Sequence, residues 1–236
     1  TLQIGATESV TEYRYRGANP KNYVTFNNET WRIIGVFPTE DENGNIENRI
    51  KLIRNESIGN NSWNTTIVSS TNSYNNWTGA TLKTYLNGDY YNTLTSEAQS
   101  MISSSKYYLG GYNAITKTSQ DMYSYERKIA NTTSNEFYYG SNPNSWVGKL
   151  GLMYVSDYGY ASLNCETKQL YNSNSSSNDI RACNDTNWLY NIKNAEWLLD
   201  QNPDRGLGVD FYYTNSNGYI DSTGHMFFTH NFHVRP

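Results

Sequence analysis

The stretch Glu29-Thr-Trp-Arg-Ile-Ile-Gly-Val-Phe37, the turn Pro38-Thr-Glu-Asp-Glu-Asn-Gly-Asn45 and the run Arg49-Ile-Lys-Leu-Ile-Arg-Asn-Glu-Ser57 decide how this chain is read. Trp31, Ile33, Ile34, Val36 and Phe37 form a run too short for a typical helix and rich in β-branched and aromatic residues. Ile50, Leu52 and Ile53 repeat it. Asn43-Gly44 between them is a strong turn dipeptide, so the stretch predicts an antiparallel hairpin. It is the densest apolar segment in a polar chain and is expected to form the core hairpin against which the rest packs.

Working outward, Tyr13, Tyr15, Tyr23, Val24 and Phe26 alternate with polar residues and predict two short strands around Gly17-Ala-Asn-Pro20. Residues 1–12 read as a linker or the tail of an upstream element, and residues 13–236 as a single domain. After the hairpin comes the best helical pattern, with Thr78 as cap, Ala80, Leu82, Tyr85 and Leu86 on one side, and Asn87-Gly88 as the stop. A second helix is expected from Thr95 or Ser96 to Ile102, with Ser96 as a candidate cap. Residues 106–111 predict a strand and turn, and residues 113–146 a long surface excursion without period. Val147–Val155 reads as a buried strand. Ser156-Asp157 is a candidate cap for a short turn over Tyr158–Tyr160. Residues 209–213 and 218–220 predict a second hairpin, and residues 232–236 a last short strand. Two early helices followed by many short antiparallel strands and long loops give an α+β class.

The 236 residues carry 36% hydrophobic and 15% aromatic residues, including 22 tyrosines, and only 17% charged residues. Disordered chains show few aromatics and a high net charge; here the net charge is −4 and 33 asparagines supply the polarity. Aromatic rings must therefore build much of the core. This mixture fits a folded, loop-rich extracellular protein. The absence of a Lys/Arg cluster argues against nucleic-acid binding, and no run of 18 apolar residues is present to span a membrane. The start, Thr-Leu-Gln-Ile-Gly, shows no signal peptide and looks like a processed or trimmed end. Cys165 and Cys183 flank an Asn/Ser-rich loop, and in an exported protein a disulfide is the expected state.

Catalytic patterns are sparse. His225, His230 and His233 follow a spacing that matches no zinc signature, and scattered surface histidines are the plainer reading. Asp121 with Glu126, Asp157, and Asp204 with Asp210 are available carboxylates, but nothing in the sequence pairs any two for glycosidase-like work. There is no Gly-x-Ser-x-Gly elbow and no phosphate-cradling glycine motif. Asn172–Asp179 and Asn184–Asn187 offer loop oxygens of the kind calcium takes. Asx-rich turns without metal are commoner, so no cofactor is expected and calcium is the one ion considered. The positive signal is Tyr, Trp and Asn on loops, a mixture suited to binding surfaces. Between residues 187 and 221 it selects Asn202, Asp204, Asp210, Tyr212, Tyr213, Asn215, Asn217 and Tyr219, with Trp188 and Trp197 as stacking platforms.

The segments Tyr15-Arg-x-Gly-Ala-Asn-Pro-x-Asn-Tyr-Val-x-Phe-Asn-Asn28, Trp31–Phe37, Ile50–Ser57, Leu82-x-x-Tyr-Leu-Asn-Gly-x-Tyr-Tyr91, Gly148–Tyr154 and Val234-Arg-Pro236 together resemble a family of surface proteins of Gram-positive gut bacteria, some of them pilin-like. The order of elements is also similar to the C-type-lectin fold. The resemblance implies an extracellular domain at the bacterial cell surface, non-enzymatic, used for adhesion to a protein or glycan ligand on a host or bacterial surface. The alternative it implies is a structural subunit of a type IV pilus-like filament contacting sister subunits; a glycan hydrolase is a third reading. Asn202-Pro203-Asp204 and Asn142-Pro143-Asn144 approach one calcium-lectin motif, and its Trp-Asn-Asp companion is absent.

Overall fold

The computed structural model describes residues 2–4, 8–65, 75–110, 118–127, 143–169, 182–191, 193–201, 211–223 and 230–236. The region expected as linker holds a small antiparallel hairpin, β1 (Leu2–Ile4) with β2 (Glu8–Val10). Strands β3 (Tyr13–Arg14) and β4 (Tyr23–Phe26) follow, then β5 (Glu29–Glu40) and β6 (Ile46–Arg54). β5 and β6 form the expected hairpin, from Trp31 opposite Arg54 to Glu40 opposite Ile46. Asp41 closes its turn by accepting the Asn43 and Asn45 N–H groups at 2.7 and 2.8 Å. β3 and β4 pair with β5 rather than with each other. The β4–β5 link is the dipeptide Asn27-Asn28, both at positive φ (53° and 57°). Asparagine tolerates that region, which a tight two-residue hairpin turn requires.

β7 (Asn60–Ser62) leads to a helical stretch that differs from the expected one. A 3-10 turn, Trp77–Gly79, is capped by Asn76, whose side chain accepts the Thr78 N–H. Helix α1 (Thr81–Tyr85) then runs through a π-helical turn, Leu86–Tyr90, into α2 (Tyr91–Thr93). Asn87-Gly88 therefore does not stop the helix. Asn87 turns its amide to the Lys83 and Leu150 carbonyls, at 3.0 and 2.9 Å, and accepts from Leu150 N–H at 3.0 Å. It fastens the helix to the segment at Lys149 and Leu150. Helix α3 (Ser96–Met101) falls where expected, with Thr95 rather than Ser96 as its cap.

β8 (Ser105–Tyr108) pairs with β9 (Ser145–Gly148). Between them the expected excursion contains a helix, α4 (Ser119–Arg127), with Met122, Tyr123 and Glu126 buried. The expected strand 147–155 is β9 followed by a buried irregular segment. Helix α5 (Val155–Tyr160) begins one residue before its expected cap. β10 (Glu196–Gln201), β11 (Phe211–Thr214), β12 (Ile220–Thr223) and β13 (Asn231–His233) form the second sheet, in the order β12-β11-β10-β13-β7. β10 and β13 run parallel; the other neighbours are antiparallel.

The molecule is thus mixed, with several short antiparallel strands and few helices, as an α+β class requires. One buried cluster joins Ile34, Phe37 and Ile53 of the first hairpin to α5, the disulfide and Leu198. The other gathers Trp63, Trp77, Trp197 and Leu199 with the α1 face. The rings of Trp63 lie 5.3 and 5.7 Å from those of Trp77 and Trp197, edge-on in both cases. Cys165 and Cys183 are joined, with Cα atoms 5.9 Å apart. No helix among the described residues is long and apolar enough to cross a membrane.

Candidate functional site

Three features stand out. The first is a buried charge cluster at the start of α5. Three consecutive backbone N–H groups there end on three different carboxylates: Tyr154 on Asp157 Oδ2 at 3.0 Å, Val155 on Asp200 Oδ2 at 2.7 Å, and Ser156 on Glu126 Oε1 at 2.9 Å. All three carboxylates are almost wholly buried. Asp157 also meets Arg14 Nη1 at 3.0 Å and the Lys51 ammonium. The Arg14 guanidinium lies over the rings of Phe37 and Tyr160, 4.6 and 4.9 Å from their centroids. Burial, with the Glu126 carboxylate beside it, pushes the Asp200 carboxyl well above the usual range. Of the carboxylates considered from sequence, Glu126 and Asp157 are thus brought together; Asp200 was not among them. Their chemistry here is to terminate backbone N–H groups that a helix start leaves open.

The second feature is the tip between β11 and β12. Its three successive carbonyls are held by three scaffold side chains: Ser216 by the Tyr190 hydroxyl at 2.9 Å, Asn217 by Asn184 Nδ2 at 2.7 Å, and Gly218 by the Tyr158 hydroxyl at 3.1 Å. Asn215 Oδ1 closes the turn by accepting the N–H groups of Asn217 and Tyr219, at 3.0 and 3.1 Å. Ser216 and Asn217 are exposed; Asn215 and Tyr219 are half-buried. Asn184 and Tyr190 belong to the segment that Cys183 ties to Cys165, so the disulfide braces the tip.

The other residues selected from sequence lie elsewhere. Trp188 is buried, donating to the Tyr15 carbonyl at 2.9 Å beneath the Arg32 guanidinium, 4.3 Å from its ring. Trp197 is buried, donating to the Asn61 carbonyl at 2.8 Å and packed 4.4 Å from Phe232. Neither ring offers a face to solvent, because the aromatic core has claimed both. Tyr213 stacks 4.6 Å from Phe232. Asn202, Asp204, Asp210 and the Tyr212 side chain lie outside the described residues, as do Asn172–Asp179 and His225. Asn187 is spent on the fold, bonding the Tyr158 carbonyl and the Leu189 N–H at 2.9 Å each. Among the described residues no group of three or more His, Cys, Asp or Glu is placed to hold a metal ion.

The third feature, which sequence reasoning missed, is a cleft of about 460 Å³ beside β6. Ile50, Leu52, Met101, Ile102, Leu150 and Leu152 give it apolar walls, and Arg49, Lys51, Lys106 and Lys149 contribute cations. Trp31 and Arg235 also line it, and Trp31 Nε1 and Arg235 Nε have no hydrogen-bond partner among the described residues. Ile50 and Ile46, apolar yet 62% and 70% exposed on β6, mark this side of the hairpin.

Comparison of the chain with protein-family models, with curated proteins and with solved structures finds no match.

Proposed function

We propose that this chain is a non-enzymatic, C-type-lectin-like domain of the bacterial cell surface that binds a protein or glycan ligand through the tip at residues 215–219. The observation that carries the reading is the bracing of three consecutive tip carbonyls by Tyr190, Asn184 and Tyr158. A loop held this way loses little entropy on binding, which is what a recognition surface gains from preorganisation. Exposed Ser216 and Asn217 supply hydrogen-bonding groups, and half-buried Tyr219 supplies part of an aromatic face. The lectin-like plan draws support from the order of elements: a long early hairpin, helices in the middle and a late antiparallel hairpin.

A glycan and surface-protein binding screen, run with and without chelator, tests this reading. Ser216→Ala with Asn217→Ala is expected to remove the binding found while leaving the melting temperature unchanged. Unchanged affinity would remove the tip as the site. The filament-subunit alternative is favoured by one observation, the exposure of Ile46 and Ile50 on β6, and negative-stain imaging of the native protein separates it from single particles.

A further inference from the structure

An asparagine followed by glycine carries a chemistry of its own. The glycine backbone nitrogen attacks the side-chain carbonyl carbon of the asparagine, closing a succinimide ring and expelling ammonia. Water then opens the ring at either carbonyl and leaves aspartate, or isoaspartate with one more carbon in the backbone. No cofactor enters. The reaction needs a side chain free to turn, a peptide N–H free to lose its proton, and no Cβ on the second residue to block the approach. Three such pairs occur in the sequence: Asn43-Gly44, Asn87-Gly88 and Asn217-Gly218.

The fold holds the three differently. Asn87 has no freedom to turn. Its Nδ2 donates to the Lys83 and Leu150 carbonyls at 3.0 and 2.9 Å, and its Oδ1 accepts the Lys149 and Leu150 N–H groups at 3.2 and 3.0 Å. Asn217 has an exposed side chain, but the peptide that would attack it is pinned at both ends. Its carbonyl takes Asn184 Nδ2 at 2.7 Å, and the Gly218 N–H donates to the Asn215 carbonyl at 2.9 Å. Gly218 is buried, and a Cβ there would stand 2.1 Å from Asn184 Nδ2. Around Asn43 the restraints are few. Both Asn43 and Gly44 are exposed, and the Asn43 side chain makes no hydrogen bond among the described residues. The Gly44 N–H is held by the Asp41 carbonyl alone, at 3.2 Å. A Cβ on Gly44 would find Glu40 Oε1 at 3.8 Å and nothing nearer, so the approach is open.

We infer that Asn43 is a site of spontaneous deamidation, converted to isoaspartate and aspartate in the folded protein, while the braced tip keeps Asn217 as the amide. At Asn217, attack waits on an opening that frees the Gly218 N–H and the Asn217 carbonyl together, and such openings are rare in a braced segment. Conversion at Asn43 changes the far end of the β5–β6 hairpin. That turn is closed by the Asp41 N–H on the Asn45 carbonyl and by the Asn45 N–H and Nδ2 on Asp41 Oδ1 and Oδ2, at 2.8, 2.8 and 3.1 Å. An isoaspartate lengthens the backbone inside the closed turn and sets a new carboxylate beside Asp41 and Glu42. The pairing of Glu40 with Ile46 loosens first. The inference is independent of ligand binding at the 215–219 tip.

The test ages the whole folded chain in mildly alkaline buffer and maps its peptides by mass spectrometry, with isoaspartate read by its enzymatic methylation. A gain of one mass unit is expected at Asn43, mostly as isoaspartate, about tenfold or more faster than at Asn217 or Asn87. In denaturant the three sites should convert at similar rates, since the fold no longer separates them. Asn43→Gln should remove the gain at that position with the melting temperature unchanged. In the aged wild type, amide exchange should rise at Asn45 and Ile46, and in aged Asn43→Gln it should not. Asn184→Ala frees the Asn217 carbonyl and should bring Asn217 into the modified set. Equal rates at the three sites in the folded chain, earlier conversion of Asn217, or an Asn43 that stays an amide while the denatured chain converts would overturn the inference. Should Asn184→Ala fail to fold, the comparison of folded with denatured wild type decides.

Discussion

Arg14 Nη1 lies 3.0 Å from Asp157 Oδ1, joining the short strand β3 to the first turn of α5 across 143 residues of chain. Both side chains are buried, at 6% and 0% exposure. Arg14 also bonds Glu12 at 3.1 Å, and Glu12 in turn takes the Tyr123 hydroxyl. Replacing Arg14 by Ala would take one of its cations from buried Asp157, leaving the Lys51 ammonium beside it. Breaking such a pair from one side typically costs about 3 to 5 kcal/mol. We expect Arg14→Ala to fall in that range by denaturant unfolding, and Arg14→Lys to recover little, since an ammonium cannot lie flat between Phe37 and Tyr160. A loss below about 1 kcal/mol would assign the pair no more weight than a surface ion pair.

Asp200 sets a pH dependence of known sign. Its folded-state carboxyl is raised by burial and by Glu126, so the native state favours the protonated form. Its stabilising contribution is complete below the unfolded value of about 4 and declines as pH rises through the folded value. Asp200→Asn keeps an oxygen for the Val155 N–H and no longer titrates. The stability of the wild type relative to this variant should therefore fall as pH rises from about 4 towards neutrality. Glu40 acts with the opposite sign. The Lys106 ammonium and Tyr108 hydroxyl, at 2.8 and 2.7 Å, hold its carboxyl below the usual range. Its contribution is present above that range and lost as pH falls. Unfolding free energies of wild type, Asp200→Asn and Glu40→Gln across this window check both signs.

The disulfide is expected to matter twice. Cys165 and Cys183 are 18 residues apart, and a loop of that size is worth about 3 kcal/mol on the chain-entropy model. Both sulfurs also sit in a buried cluster with Trp188, Leu189 and Ile220. Cys165→Ala with Cys183→Ala should lower stability by about that amount. Because Asn184 follows Cys183 directly and holds the Asn217 carbonyl, amide exchange should rise at the tip more than elsewhere. Uniform acceleration across the protein would uncouple the tip from the disulfide.

What the sequence shows, and what it hides, follows from how each element buries itself. The β5–β6 hairpin was legible because its apolar runs and Asn43-Gly44 are local signals. α3 was legible because Thr95 and Ser96 precede a clear apolar side. α4 was hidden because it buries Glu126 alongside Met122 and Tyr123, and an acidic residue in the apolar face breaks the helical period. β10 has no legible period, since all six of its residues are buried although three, Glu196, Asp200 and Gln201, are polar. Each meets a distant group: Arg235 at 2.6 Å from Glu196, the Val155 N–H on Asp200 Oδ2, the Pro143 carbonyl for Gln201. Periodicity cannot see such pairings. The tip residues Asn215, Asn217 and Tyr219 were selected from composition; their bracing by Tyr158, Asn184 and Tyr190 needed the fold.

Two glycines give opposite expectations from the same substitution. At Gly35, a Cβ would stand 2.2 Å from the Tyr13 carbonyl oxygen and 3.0 Å from the Phe37 ring. The oxygen belongs to β3, which pairs with β5 through Val36 and Gly35, so it cannot withdraw without breaking that pairing. Gly35→Ala should cost about 1 to 3 kcal/mol, the usual range for overpacking, with loss of β3 protection in amide exchange. At Gly88, inside the helical run from Thr81 to Thr93, a Cβ would meet nothing within 4 Å, and the backbone is not left-handed. Alanine there narrows the unfolded ensemble and suits a helix, so Gly88→Ala should stabilise by about 0.4 to 1 kcal/mol. Thermal unfolding of the two variants beside wild type reads both signs in one experiment. Destabilisation by Gly88→Ala would show that the π-helical turn needs the freedom of glycine. A neutral Gly35→Ala would mean that β3 is not held against β5.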